Sequence, residues 1–152
     1  MKLWQKNTDV RKEIDDFTVG RDRELDLLLA THDIVGSLAH IRMLAKVGLL
    51  EEDEEQQLRN ELQRLYRQAA SGDFVIEAGV EDVHSQVEFM LTQKLGDVGK
   101  KIHSGRSRND QVLVDLRLFF RTELKVLADR MHALFTKLQE LSERHKDVLL
   151  PG

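Results

Sequence analysis

In residues 110–145 a leucine or phenylalanine returns every seventh position, at Leu113, Phe120, Leu127, Leu134 and Leu141. Leu116, Leu124, Met131 and Leu138 widen that row, and Phe119, Val126 and Ala133 flank it. Apolar residues spaced three, four and seven apart share one face of an α-helix. Nothing interrupts the run, because the only proline of the chain is Pro151 and proline is the strongest helix breaker. A helix over 110–145 would span about 50 Å, longer than a compact domain of 152 residues needs. An apolar face this wide requires several neighbours. The rest of the chain has room for only two or three shorter helices. The pattern therefore predicts cover from other chains or from further sequence; the alternative is an up-down bundle that closes on itself.

The remaining sequence also reads as all-α, with Leu, Glu, Lys, Arg, Gln and Ala dominant and β-branched clusters scarce. Residues 1–20 read as an extended arm or short helix ending in a turn. A helix is predicted over 22–47, with Leu27, Ile34, Leu38, Ile41 and Ala45 at helical spacing and Gly48 placed to stop it. A second begins at the acidic run Glu51-Glu52-Asp53-Glu54-Glu55, which suits the positive end of a helix dipole. It carries Leu58, Leu62, Leu65 and Ala69 and stops at Gly72. Phe74-Val75-Ile76 reads as a short extended piece. A third helix is predicted over 80–95, with Val83, Val87, Met90 and Leu91 on one face and Gly96 and Gly99 as breakers. Two domains are expected, 1–109 as an N-terminal helical region and 110–152 as the start of a central long-helix bundle.

The formal net charge of −4, with both signs interspersed, gives no basic face for nucleic acid. No apolar run approaches the ~20 residues that cross a bilayer, and the first residues lack a signal-peptide core. With no cysteine, a cytoplasmic location is the expectation.

The chemistry concentrates at His103-Ser104-Gly105-Arg106-Ser107-Arg108-Asn109-Asp110-Gln111, just where the long helix begins. Ser107 followed by Asp110 has the spacing of a capping box, which puts Arg108 and Asn109 in the first helical turn. Free N–H groups and the positive dipole end attract anions there. Arg106 and Arg108 can each grip a carboxylate in a bidentate way, Asn109 can donate to one, and Gly105 lets backbone approach a ligand. Dicarboxylate binding is the chemistry such a turn serves; a surface loop whose arginines pair with nearby acids is the plainer alternative.

That string, with Glu81-Asp82-Val83-His84-Ser85 and Gly99-Lys100-Lys101-Ile102 ahead of it, resembles the argininosuccinate lyase family of the fumarase/aspartase superfamily. Lys2-Leu3-Trp4, Asp33-Ile34-Val35-Gly36-Ser37, Asp115-Leu116-Arg117-Leu118 and Leu150-Pro151-Gly152 extend the likeness over the whole chain in order. The resemblance implies an all-helical homotetramer with long central helices in a shared bundle, and several subunits contributing to each active site. It implies an enzyme of arginine biosynthesis that cleaves argininosuccinate to arginine and fumarate by reversible β-elimination, without metal or organic cofactor. It assigns Asn109, Arg108, Ser107 and Ser104 to substrate binding, with Arg106 beside them. His84 matches a histidine near the substrate, with a structural hydrogen bond as its alternative reading. His103 is expected to anchor the loop, and His32, His40, His132 and His145 to be structural or surface residues.

Two departures from the family pattern stand near the start. Gln5-Lys6-Asn7-Thr8 follows Trp4 where the family has a Gly-Gly-Arg-Phe stretch. Thr18-Val19-Gly20-Arg21-Asp22-Arg23 fills the region of a substrate-touching serine, leaving Asp22 as the positional equivalent, either pairing with the substrate guanidinium or capping a helix. In the family, Pro-Gly leads into a segment with a catalytic histidine, and a catalytic serine loop comes later. These residues are therefore expected to supply part of a binding site, no complete acid–base pair, and no turnover alone. A superfamily lyase acting on adenylosuccinate or aspartate, and a non-enzymatic helical assembly module, are the rival readings.

Overall fold

The computed structural model describes residue 17 and residues 20–149. The Lys2-Leu3-Trp4 match, the 1–16 arm, Thr18 and the Leu150-Pro151-Gly152 match lie outside these. Helices occupy most of the described chain, and among the described residues there is no strand. In order they are α1 (Asp22–Leu25), α2 (Ala30–Lys46), α3 (Glu52–Ala70), α4 (Val83–Leu95), α5 (Asp97–Lys100) and α6 (Arg108–His145), with single 3₁₀ turns at Asp26–Leu28 and Lys101–His103. The chain divides into two compact units, Met1–Leu116 and Arg117–Gly152.

The first unit is built on the predicted stripes. Ile34, Ile41 and Leu44 of α2, Leu58, Leu62 and Leu65 of α3, and Val83, Val87 and Leu91 of α4 are fully buried in one core. The i, i+4, i+7 spacing in α3 makes one continuous ridge for that core. Phe74 and Ile76 are buried while Val75 between them is exposed, as alternation along an extended piece requires.

The helix ends follow local chemistry. Gly48, at φ 77°, donates to Ala45 O while Leu49 donates to Leu44 O at 2.9 Å, the paired bonds of a Schellman stop. Gly72 and Asp73 repeat the pattern on Ala69 and Gln68. At the start of α3 the carboxylate of Glu54 accepts from the Glu51 N–H at 3.2 Å, so the acidic run serves the helix start.

Three expectations are corrected. The 22–47 helix is broken at Asp26–Leu28, where the Asp26 carboxylate accepts the Val83 N–H at 3.2 Å from the start of α4; Leu27 is left exposed. The third helix starts at Val83, because Asp82 caps it by accepting from the Ser85 N–H at 2.8 Å. Gly99 is no breaker: it lies inside α5, and a Cβ there would sit 2.5 Å from the Leu91 and Thr92 backbone. It lets two helix backbones touch.

The second unit carries the rest of α6. Every residue from 121 to 149 is exposed, including Leu134 at 61% and Met131 at 63%. The seven-residue stripe is a surface in this chain, which is not what a self-closed bundle would give. Among the described residues no helix is long and apolar enough to cross a membrane.

Candidate functional site at the start of the long helix

The first unit gathers its polar side chains around the 103–111 segment. Ser107 caps α6 as its spacing predicts: its Oγ accepts the Asn109 N–H at 3.2 Å, and Asp110 reaches back to the Ser107 N–H at 3.1 Å. These reciprocal bonds satisfy two otherwise free donors and fix Arg108 and Asn109 in the first turn. Gly105 turns the chain into this start at φ 67°. Ser104, Ser107 and Asn109 are exposed, so their polar groups are open to a ligand.

Both arginines of the segment have partners. Arg108 Nη1 pairs with Asp82 Oδ2 at 2.8 Å, with Glu81 farther at 3.7 Å, and Nη2 donates to Ser85 Oγ at 3.2 Å. This ties the start of α6 to the start of α4. Arg106 is half-buried; Nη2 donates to Ser37 Oγ at 3.4 Å and to His103 Nδ1 at 3.3 Å. Burial weakens the hold of Arg106 on its proton. Burial, with the nearby Arg106 charge, pushes His103 down to about 4, so it stands neutral beside Arg106 and anchors the loop. His40, expected to be a structural or surface residue, donates from Nε2 to the Ser104 carbonyl at 2.9 Å.

Behind the loop lies a buried cluster. His84 Nδ1 donates to Asp33 Oδ1 at 2.6 Å, and Asp115 Oδ2 is 3.7 Å from the same nitrogen. Gln111 Nε2 also donates to Asp33 Oδ1. Asp33 and Asp115 are fully buried. Burial alone would lower the His84 pKa, but the hydrogen bond it donates to Asp33 and the charges of Asp33, Asp82 and Asp115 outweigh it and raise it. Burial and the Asp33 charge push Asp115 up to about 7.

The structure thus brings together Ser104, Arg106, Ser107, Arg108, Asn109 and His84 within the first unit. Asp22 is exposed at the first position of α1, with Arg21 in the capping position, so it does not cap that helix. Its backbone carbonyl accepts the Asp26 N–H, and its side chain makes no hydrogen bond or ion pair among the described residues. Sequence reasoning missed Asp33, Ser37, His40, Gln111 and Asp115 as parts of the site. The signal was there in the spacing. Asp33, Ser37 and His40 follow i, i+4, i+7, and Gln111 and Asp115 follow i, i+4, so each set forms a polar row on one face of its helix.

A family described as lyase matches residues 10–152 of this chain. The chain belongs to this lyase family. It is similar to proteins named argininosuccinate lyase from Phocaeicola vulgatus, 64% identical over 99% of this chain and 34% of that relative, and from Bacteroides fragilis, 62% identical over 99% and 34%. A relative of the same name from Thermotoga neapolitana is 40% identical over 99% of this chain and 38% of its own length. The chain spans about a third of the length of the curated relatives it matches.

Proposed function

We propose that this chain is the N-terminal part of an argininosuccinate lyase, an enzyme of arginine biosynthesis that splits argininosuccinate into arginine and fumarate. The observation that carries the reading is the capped start of α6, with Ser104, Ser107 and Asn109 exposed beside Arg106 and Arg108, in a chain whose relatives at 60–64% identity all carry that name. Removal of a proton next to a carboxylate builds negative charge on that carboxylate, and preorganised donors stabilise it. Asn109, Ser107 and Ser104 are the donors within reach, and the free N–H groups of the first turn add the positive helix end. Arg108 supports the pocket while paired with Asp82; when a substrate carboxylate arrives it can share its fork between the two. Arg106 adds positive charge from behind. His84 faces the carboxylates of Asp33 and Asp115 and acts as a charged neighbour to the site. Asp22 would meet the substrate guanidinium.

The proton-transferring groups lie in sequence beyond these residues. The whole protein is proposed to work as a cytoplasmic homotetramer, with residues 110–152 opening its central bundle and the exposed stripe of α6 covered by other helices of that bundle.

The test is an assay of the purified full-length protein for fumarate release. Argininosuccinate should be cleaved, with adenylosuccinate and aspartate inert, and the 152-residue chain alone should show no turnover. Cleavage of adenylosuccinate or aspartate in preference would replace the substrate. Turnover by the isolated chain would refute the division of labour.

A further inference from the structure

The cluster of Asp33, His84 and Asp115 is harder to account for as a core than as a support for the loop. The hydrophobic core of the first unit runs from Ile34 and Ile41 to Val87 and Leu91. A buried ionic group adds little stability over an apolar one of the same size. Yet Asp33 and Asp115 bring two carboxylates into one place, with one oxygen of each and a ring nitrogen of His84 within 4.8 Å of one another. Asp33 Oδ2 and both Asp115 oxygens are buried and find no hydrogen-bond partner among the described residues. Asp115 packs directly on α2: a Cβ at Gly36 would lie 3.4 Å from Asp115 Oδ1, in van der Waals contact.

The groups that face these acids come from two helices and the loop. His84 reaches in from α4, Gln111 from the second turn of α6, and Arg106 from the loop, its Nε likewise buried without a partner. Every one of them leads outward to the anion-binding start of α6. Gln111 is one turn from Ser107; Arg106 stands between His103 and Ser107. The two acids therefore reach the segment through their partners: the Gln111 N–H donates to the Ser107 carbonyl at 3.3 Å, and Arg106 donates to His103 Nδ1 at 3.3 Å.

We propose that Asp33 and Asp115 are positioning residues of this site, holding His84 and, through Gln111 and Arg106, fixing where the 103–111 segment lies. The proposal rests on the lyase reading for its substrate. Burial and the Asp33 charge hold the Asp115 carboxyl up at about 7, so Asp115 takes up a proton near neutral pH. Arg106, in the field of Asp33 and Asp115, and His84 set two basic groups beside the two acids. The separation of 2.6 Å between Asp33 Oδ1 and His84 Nδ1 is that of a direct hydrogen bond, shorter than two ligands of one metal ion keep.

The test compares the full-length protein with its Asp33→Asn and Asp115→Asn variants, by hydrogen–deuterium exchange read by peptide and by the pH profile of kcat/KM on argininosuccinate. Exchange should quicken about tenfold in the 103–111 segment and the start of α4 while α3 is unchanged. kcat/KM should fall about tenfold or more, and its alkaline limb should move to lower pH as His84 loses acidic neighbours. Equal loosening of α3, or a lower Tm with the pH profile unmoved, would reduce both acids to structural residues and overturn the proposal. Variants indistinguishable from the parent would do the same. So would a rise in Tm on adding Zn²⁺ or Mn²⁺ that both variants lose, since that would make the cluster a cation site. If the parent protein fails to cleave argininosuccinate, the functional reading falls by itself, and the exchange pattern still decides the positioning role.

Discussion

The two compact units treat their apolar residues in opposite ways. The first closes Ile34, Leu62 and Leu91 into a core; the second presents Leu127, Leu134 and Leu138 to the surface. Both segments are helices with regular apolar rows, so helical periodicity does not separate them. The difference is whether partners exist within the chain. α2, α3 and α4 have each other. The far part of α6 has an exposed apolar row with polar flanks, the form of a helix made for association. Chemistry follows the same division: the donors, the capped helix start and the buried acids all belong to the first unit.

The division is broken most severely through the donors. Asn109→Ala in the full-length protein should lower kcat/KM by about 10²- to 10³-fold, the usual cost of losing one donor to developing charge, with Tm and assembly unchanged because Asn109 is exposed. Arg108→Ala should lower activity as far and cost some stability, since it also removes the bond to Asp82 at 2.8 Å. Near-normal kinetics in both would remove these residues from the site.

Next in size are core deletions. Leu62→Ala, in a fully buried position, should destabilise the first unit by about 2–5 kcal/mol in denaturant unfolding. Gly99→Ala pushes a methyl group to 2.5 Å from the Leu91 backbone and should cost about 1–3 kcal/mol. A neutral result for either would show that the helix contacts described for this unit are not those that hold it.

A smaller effect concerns pH. Asp115, held at about 7 against an ordinary 3.8, favours the fold below the unfolded value, and its contribution is lost as pH rises through about 7. His84, raised above 6.5, contributes fully below 6.5 and loses that contribution as pH rises through its folded value. His103, down at about 4 from 6.5, acts in reverse, and stability from it grows as pH climbs between those values. Asp115 and His103 therefore oppose each other at mildly acidic pH. From about 6.5 upward only the losses remain, and Tm should decline there. Asp115→Asn, which leaves Asp33, Asp82 and Arg106 around His84, should flatten that decline; an unchanged slope in thermal melts would contradict the assignment.

The smallest expected effect is Leu134→Ser. With 61% of Leu134 exposed, the stability of the isolated chain should move within about 0.5 kcal/mol, in contrast to Leu62→Ala on an equally regular row.

Much of this was legible in the residues. Gly48 and Gly72 mark helix stops with no tertiary help, and Ser107 with Asp110 marks a helix start, because all three rest on bonds between near neighbours. The exposed stripe of α6 was legible for the same reason. The buried cluster was not, because it joins residues 51 and 78 apart in sequence, and nothing local says that an acid on α2 will meet a histidine and a glutamine on two other helices. The break at Asp26–Leu28 was hidden likewise, since the carboxylate involved answers to Val83. Arg108 shows a third kind of limit: its residue type predicts carboxylate binding, and only the fold reveals that Asp82 is the carboxylate already there.

The contrast between the units is tested most directly by light scattering of the 17.6 kDa chain against a Leu127→Glu, Leu134→Glu double variant. The account predicts a mass above the monomer for the parent chain, and a monomer of unchanged helicity for the variant. A clean monomer for the parent chain, with its stripe uncovered at working concentration, would contradict it.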